Sequence, residues 1–246
     1  MKKVCFALAL GCVLTGREGL ADSNPPCPKS DTLAGIEFHR STLVRTATGS
    51  DIWSCTWAAD GRLYAAWGDG GGFGGTDNRG RVSIGVARIP GQPQAWQAAN
   101  AWGGFEPLSK QQATVGKGTM IAANRKLYIF ISEQGKWNRC QLWKSDDTGL
   151  TWENRSWIFP RSHKLFAFPG LVQCGQDNRL SAEGYIYGFS DNDPSRNEDH
   201  RLYLFRVKQE RVEDRAAYEY FSGTAQAPAW SNNSRIASQS SSIRKV

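Results

Sequence analysis

The chain of 246 residues is poor in the residues that several large enzyme classes depend on. It has three histidines, and its six cysteines include no C-x-x-C pair and accompany no His-x-His spacing, so the usual structural zinc ligand sets are missing. No apolar stretch is long enough to cross a bilayer, which takes roughly 20 residues in a helix. Lysines and arginines are scattered rather than clustered among aromatics, which argues against a nucleic-acid partner. Charged residues make up only 22%, whereas the chain carries 26 Gly, 10 Pro and 10 Trp. Gly and Pro interrupt helices and suit tight turns. The composition therefore predicts an all-β fold, and the length suits one domain.

The N-terminus reads as a leader. Met1-Lys2-Lys3 is followed by an apolar run from Val4 to Leu14 and by Gly19-Leu20-Ala21, the order of a signal peptide over residues 1–21, cut after Ala21. Secretion or periplasmic export follows. A lipid on Cys12, after Leu10-Gly11, is the competing reading. Loss of Lys2, Lys3, Arg17 and Glu18 lowers the formal charge from +7 to +5, a mildly basic surface compatible with an acidic glycan. The four remaining cysteines, Cys27, Cys55, Cys140 and Cys174, permit two disulfides in an oxidising compartment, in any of three connectivities.

One aromatic strand pattern recurs three times, as Gly61 to Trp67, Arg125 to Ile131 and Glu183 to Phe189. Each copy has an apolar partner upstream (Ile52 to Trp57, Thr119 to Ala123, Gly170 to Cys174) and another downstream (Val82 to Ile89, Cys140 to Lys144, Arg201 to Val207). Tyr64, Tyr128 and Tyr185 stand 64 and 57 residues apart, a period that fits one blade of a β-propeller. The organisation expected is a lead-in over 22–45, blades over 46–230, and a polar, disordered tail over 231–246. Three blades fall short of the four or more that close a ring, so an incomplete or truncated propeller is expected.

Two short motifs fail on context. Gly70-x-Gly72-x-x-Gly75 matches a dinucleotide fingerprint in letters, but a strand follows and not the helix that would hold a pyrophosphate. Asp191, Asp193, Glu198 and Asp199 lack the spacing and glycine of a calcium loop. No nucleophile elbow accompanies the histidines. Neither cofactor nor metal is expected.

Ser145-x-Asp147-x-Gly149-x-Thr151-Trp152 matches the Asp-box and resembles the turns of sialidase-type propellers. Two further segments are similar to the domain of unknown function 4185 family, bacterial five-bladed propellers that include endo-D-arabinofuranases. One runs from Gly49-Ser50-Asp51 through Asp60-Gly61 to Trp67-Gly68-Asp69. The other runs from Arg201 to Val207 and on through Val212-Glu213-Asp214 to Tyr218-Glu219-Tyr220-Phe221-Ser222-Gly223. The resemblance implies that Asp51 and Asp69 are catalytic.

That implication agrees with the chemistry of the residues. Glycoside hydrolysis needs two carboxyl groups flanking the scissile bond, and a hairpin that opens at Asp51 and closes at Asp69 returns both to one rim. Glu133 and Asp191 occupy the equivalent ends of the next two blades and are expected to bind sugar hydroxyls or to tune the carboxyl pair through like-charge repulsion. Trp53, Trp67, Phe73 and Trp137 offer rings for stacking on sugar faces, while Lys117, His163 and Lys164 suit an anionic group. The expectation is an exported, glycoside hydrolase-like propeller with a carbohydrate substrate, against the alternatives of a non-catalytic glycan-binding propeller and an inactive fragment.

Overall fold

The computed structural model describes residues 30–92, 95–133, 139–160, 165–190, 201–224, 226–233 and 243–244. The chain divides into two units between Val44 and Arg45. In the first, residues 30–44 are exposed and carry one short 3-10 turn, Arg40–Thr42.

The second unit is built from three antiparallel sheets in which strands follow one another in chain order. The first blade runs β1 (Asp51–Trp57), β2 (Leu63–Gly68), β3 (Ile84–Ile89) and β4 (Ala99–Trp102). The second runs β5 (Lys117–Ala123), β6 (Lys126–Ser132), β7 (Cys140–Ser145) and β8 (Glu153–Phe159). The third runs β9 (Gly170–Val172), β10 (Tyr185–Ser190), β11 (Arg201–Lys208), β12 (Glu219–Phe221) and β13 (Trp230–Ser231), with β14 (Ile243–Arg244) paired to β11. This is an all-β fold of the propeller type, with three blades among the described residues.

Side chains alternate across each pleat, so a middle blade can bury both faces. On β5, Met120 and Ala122 join Tyr64, Ile84, Val86 and Trp102 of the first blade, whereas Ile121 and Ala123 join Phe205, Val207 and Tyr218 of the third. Aromatic rings fill the second interface, where Phe159 lies 4.9 Å from Phe205 and 5.0 Å from Phe166 between ring centroids.

The inner edges of the blades are joined by side chains. Thr56 on β1 accepts a hydrogen bond from Ala122 N (2.7 Å) and donates to Gln173 Oε1 (2.6 Å). Gln173 continues along β1, accepting from Trp57 N (2.8 Å) and donating to Trp57 O (2.7 Å). Ser54 accepts from Met120 N at 3.1 Å. One buried hydroxyl thus links residues of all three blades.

The turn between β7 and β8 is held by Asp147. Its carboxylate accepts from Ser145 Oγ, Thr151 N and Thr151 Oγ1 at 2.6–2.8 Å. Gly149 takes a left-handed φ of 84° and donates to Ser145 Oγ, a conformation that costs other residues more. Partial burial raises the Asp147 carboxyl, but the bonds from Thr151 and Ser145 outweigh it and leave it below its ordinary value.

The two-disulfide expectation is corrected. Cys55, Cys140 and Cys174 are free thiols, and Cys27 lies outside the described residues. Cys140 sits wholly inside the interface between the second and third blades, where burial pushes its thiol well up. An even cysteine count is no guide when one member has been recruited as a small apolar core residue.

Two outcomes follow. Thr56→Val keeps the shape and leaves Ala122 N–H and the Gln173 carbonyl short of a partner, so urea titration should show a loss of about 1–3 kcal/mol. Because Asp147 is lowered on folding, it stabilises the fold above the ordinary carboxylate value of about 3.9, and that contribution is lost as the pH falls through the lower folded value. Asp147→Asn should therefore lower Tm at pH 7, and the gap from the parent protein should shrink when melts are repeated at pH 3.

Candidate active site

The β1–β2 hairpin brings Asp51 and Asp69 to one end of the first blade. Asp51 pairs with Gly68 across the strands, directly before Asp69. A bulge separates this pair from the next, Ser54 with Ala66. Within the bulge Ile52 has φ 50°, and Asp69 itself has φ 42°. Left-handed backbone at non-glycine residues costs on the order of 1–3 kcal/mol each, and bulges re-aim side chains. Both departures lie at or next to a carboxylate.

The second blade contributes a cation. Lys117 opens β5 with only 4% of its surface exposed, and its Nζ stands 2.5 Å from Asp69 Oδ2. Arg81 approaches the other oxygen of Asp69 at 3.4 Å. A methyl group on Gly68 would sit 2.7 Å from Lys117 Cδ, 3.1 Å from Lys117 Nζ and 3.1 Å from Asp51 Oδ1. Asp51 Oδ1 and the ammonium are therefore separated by no more than twice 3.1 Å. Asp51 Oδ1 and Asp69 Oδ2 are therefore no more than about 9 Å apart, which does not exceed the upper end of the roughly 5–10 Å span used by catalytic carboxyl pairs.

Aromatic rings cover the other face of the same hairpin end, because Trp67 and Gly68 alternate across the pleat. Trp67 is buried and Trp53 is 38% exposed, with ring centroids 5.5 Å apart. Phe73 follows at 5.6 Å from Trp53, and Trp96 at 6.0 Å from Phe73. The glycine loop that presents Phe73 is fixed by buried Asn100, whose amide donates to the carbonyls of Gly71, Phe73 and Phe105 and whose oxygen accepts from Phe73 N. Ser50 Oγ accepts from Gly72 N, and Trp67 Nε1 donates to Gly70 O. Phe73 and Trp96 line a cleft of about 450 Å³ with Thr46, Leu63, Ile89 and Gln92.

The other site candidates fare differently. Lys117 does not face solvent as a group awaiting an anionic substrate; it is spent on Asp69. Glu133 follows β6 and is paired with Arg139 through two contacts. Trp67 is core, with its ring against Gly72 and Gly85. Trp137, His163, Lys164 and Asp191 lie outside the described residues. A second cavity of about 270 Å³ lies at the opposite end of the β1–β2 hairpin, lined by Asp60, Tyr64, Lys126 and Asp146. There, burial and the neighbouring Asp60 carboxylate push Tyr64 up to about 12, so its hydroxyl remains a donor to Asp60. Arg81, Asn100 and Trp96 carry no motif, since their partners are set by loop closure and not by strand spacing.

The slot at Gly68 gives a direct test. Gly68→Ala places a methyl against the buried Lys117 stem, and urea titration should show a loss of about 1–3 kcal/mol from overpacking. A loss under about 0.5 kcal/mol would show that the lysine has room to withdraw.

Three solved structures illustrate what the chain is similar to. A protein of Bacteroides ovatus described as a candidate hydrolase aligns with TM-score 0.45 and 11% identity, over 79% of this chain and 57% of its own length. The α-L-arabinanase of Penicillium chrysogenum, solved with arabinobiose, aligns at 0.41 and 12% identity, over 80% and 67%. The α-L-arabinofuranosidase of Fusarium graminearum, solved with an iminosugar inhibitor, aligns at 0.36 and 10%, over 76% and 64%. No curated protein matches the chain. A family model does match it over residues 48–242, across all three blades, and the chain accordingly belongs to the family described as domain of unknown function, DUF4185.

Proposed function

We propose that this protein is an exported glycoside hydrolase acting on a cell-wall or environmental glycan, with Asp51 and Asp69 as its carboxyl pair. The observation that carries the reading is the pairing of Asp51 with Gly68, directly before Asp69, which brings both carboxylates to one end of the hairpin. A glycan bound across this end of the hairpin presents its glycosidic bond to the pair. One carboxyl group gives its proton to the leaving oxygen as the bond to the anomeric carbon breaks. The other attacks that carbon or takes a proton from the water that does. Water is consumed, its oxygen remains on the anomeric carbon, and the proton returns to the carboxyl pair directly or through solvent.

The chain of rings from Trp53 through Phe73 to Trp96 favours a second reading, a glycan-binding module without catalysis. Reducing-end assays on arabinofuranosyl polymers separate the two. Under the catalytic reading, Asp51→Asn and Asp69→Asn each lower kcat by about 10²–10⁴-fold while calorimetry still detects glycan binding. Binding by the unmodified protein with no new reducing ends would replace the hydrolase with the binding module.

A further inference from the structure

The site described above is not the property of one blade. Asp51, Gly68 and Asp69 belong to the first, but the cation on Asp69 comes from the first residue of β5 in the second. Taking an ammonium out of water costs several kcal/mol, and a buried ion pair rarely returns more than an apolar residue of the same volume would. Fold stability alone gives no reason for a lysine here.

The geometry around it does. Lys117 Nζ lies on Asp69 Oδ2 and Arg81 approaches Oδ1, so both oxygens of Asp69 face a cation. Among the described residues no ion pair is formed by Asp51, which is exposed at the mouth of the hairpin. Asp69 is thus the carboxylate held by cations, with Arg81 shared between it and Asp77, while Asp51 faces the open end of the hairpin.

We propose that Lys117 is a positioning residue which, reaching across the blade boundary through the slot left by Gly68, orients Asp69 as the anionic member of the pair and leaves Asp51 as the member that delivers the proton. This rests on the carboxyl-pair reading and assigns the two roles within it. In the assignment, the proton on Asp51 passes to the leaving glycosidic oxygen, and the electron pair of that bond goes with the oxygen. Asp69 supplies the electron pair, directly or through water, to the anomeric carbon.

The test uses the full chain and two kinds of readout. In the first, Lys117→Met keeps the stem and removes the charge. The expected result is a fall in kcat of about 10²-fold, the cost of a misplaced reacting group, with KM nearly unchanged. Lys117→Ala opens the slot, and added propylammonium should restore part of the lost kcat. A buried ion pair of purely structural role would leave kcat in place in Lys117→Met, or would show no rescue by the amine in Lys117→Ala; either result overturns the proposal.

The second readout needs no turnover. Labelling with a water-soluble carbodiimide and glycine ethyl ester near pH 6, read by peptide mass spectrometry, should modify Asp51 and spare Asp69 in the unmodified protein. In Lys117→Met the labelling of Asp69 should rise several-fold. Equal labelling of the two residues before mutation, or no rise after it, refutes the positioning role. Absence of glycan cleavage by the unmodified protein, alongside the expected change in labelling, would instead refute the hydrolase reading and leave Lys117 as the residue that orients Asp69.

Discussion

Every blade has an inner strand with one edge facing its neighbours, and the backbone groups on that edge must find partners once water is excluded. Here the partners are side chains. Thr56 and Ser54 on β1 accept from consecutive inward N–H groups of β5, while Gln173, just past β9, lies along Trp57 and bonds both its N–H and its carbonyl. This lateral stitching sets the height of β5 against β1. The height matters because Lys117 starts β5, and a shift of one residue would turn its side chain to the other face of the blade.

The first blade carries strain where it carries chemistry. Ile52, next to Asp51, and Asp69 itself hold left-handed backbone, conformations that persist only when surroundings over-determine them. The surroundings are visible: Trp67 lies against Gly72 and Gly85 with no side chain between, and Asn100 saturates its amide on three carbonyls of the loops above it. The glycine run after Asp69 is therefore packing. Gly72 lets backbone approach the Trp67 indole, while Gly70, Gly71 and Gly75 let backbone approach backbone.

How much could be read from the residues alone depended on how local the cause was. Strand pairs around Tyr64, Tyr128 and Tyr185 were legible because alternation and a turn lie within one segment, and the return of Asp51 beside Gly68 follows from hairpin logic. The outermost strands were less so: β4 is only Ala-Asn-Ala-Trp, with little β-propensity outside its Trp and a burial that comes from Trp143 and Trp152 of the next blade. Lys117 is legible as a cation suited to an anionic group, but its partner is not, because Asp69 reaches it only after two blades have packed. The cysteines misled for the opposite reason. Their even number is a local fact, whereas Cys140 is placed by the aromatic interface around it.

A site assembled across a boundary inherits the stability of that boundary. Neither hairpin alone contains both the carboxyl pair and its cation, so any local opening between the first two blades separates Lys117 from Asp69 before either blade unfolds. The interface that prevents this is apolar, with Trp102 near both Trp143 and Trp152, and with Tyr64, Ala66, Met120, Leu127 and Ile129 in one buried cluster. Hydrophobic packing is non-directional and tolerates small slides. The hydroxyls of Ser54 and Thr56 are directional and do not. The apolar surface thus supplies most of the adhesion between the blades, while the hydrogen bonds at the inner edge supply the register, and the alignment of a buried ammonium with a carboxylate at 2.5 Å depends on the second far more than on the first.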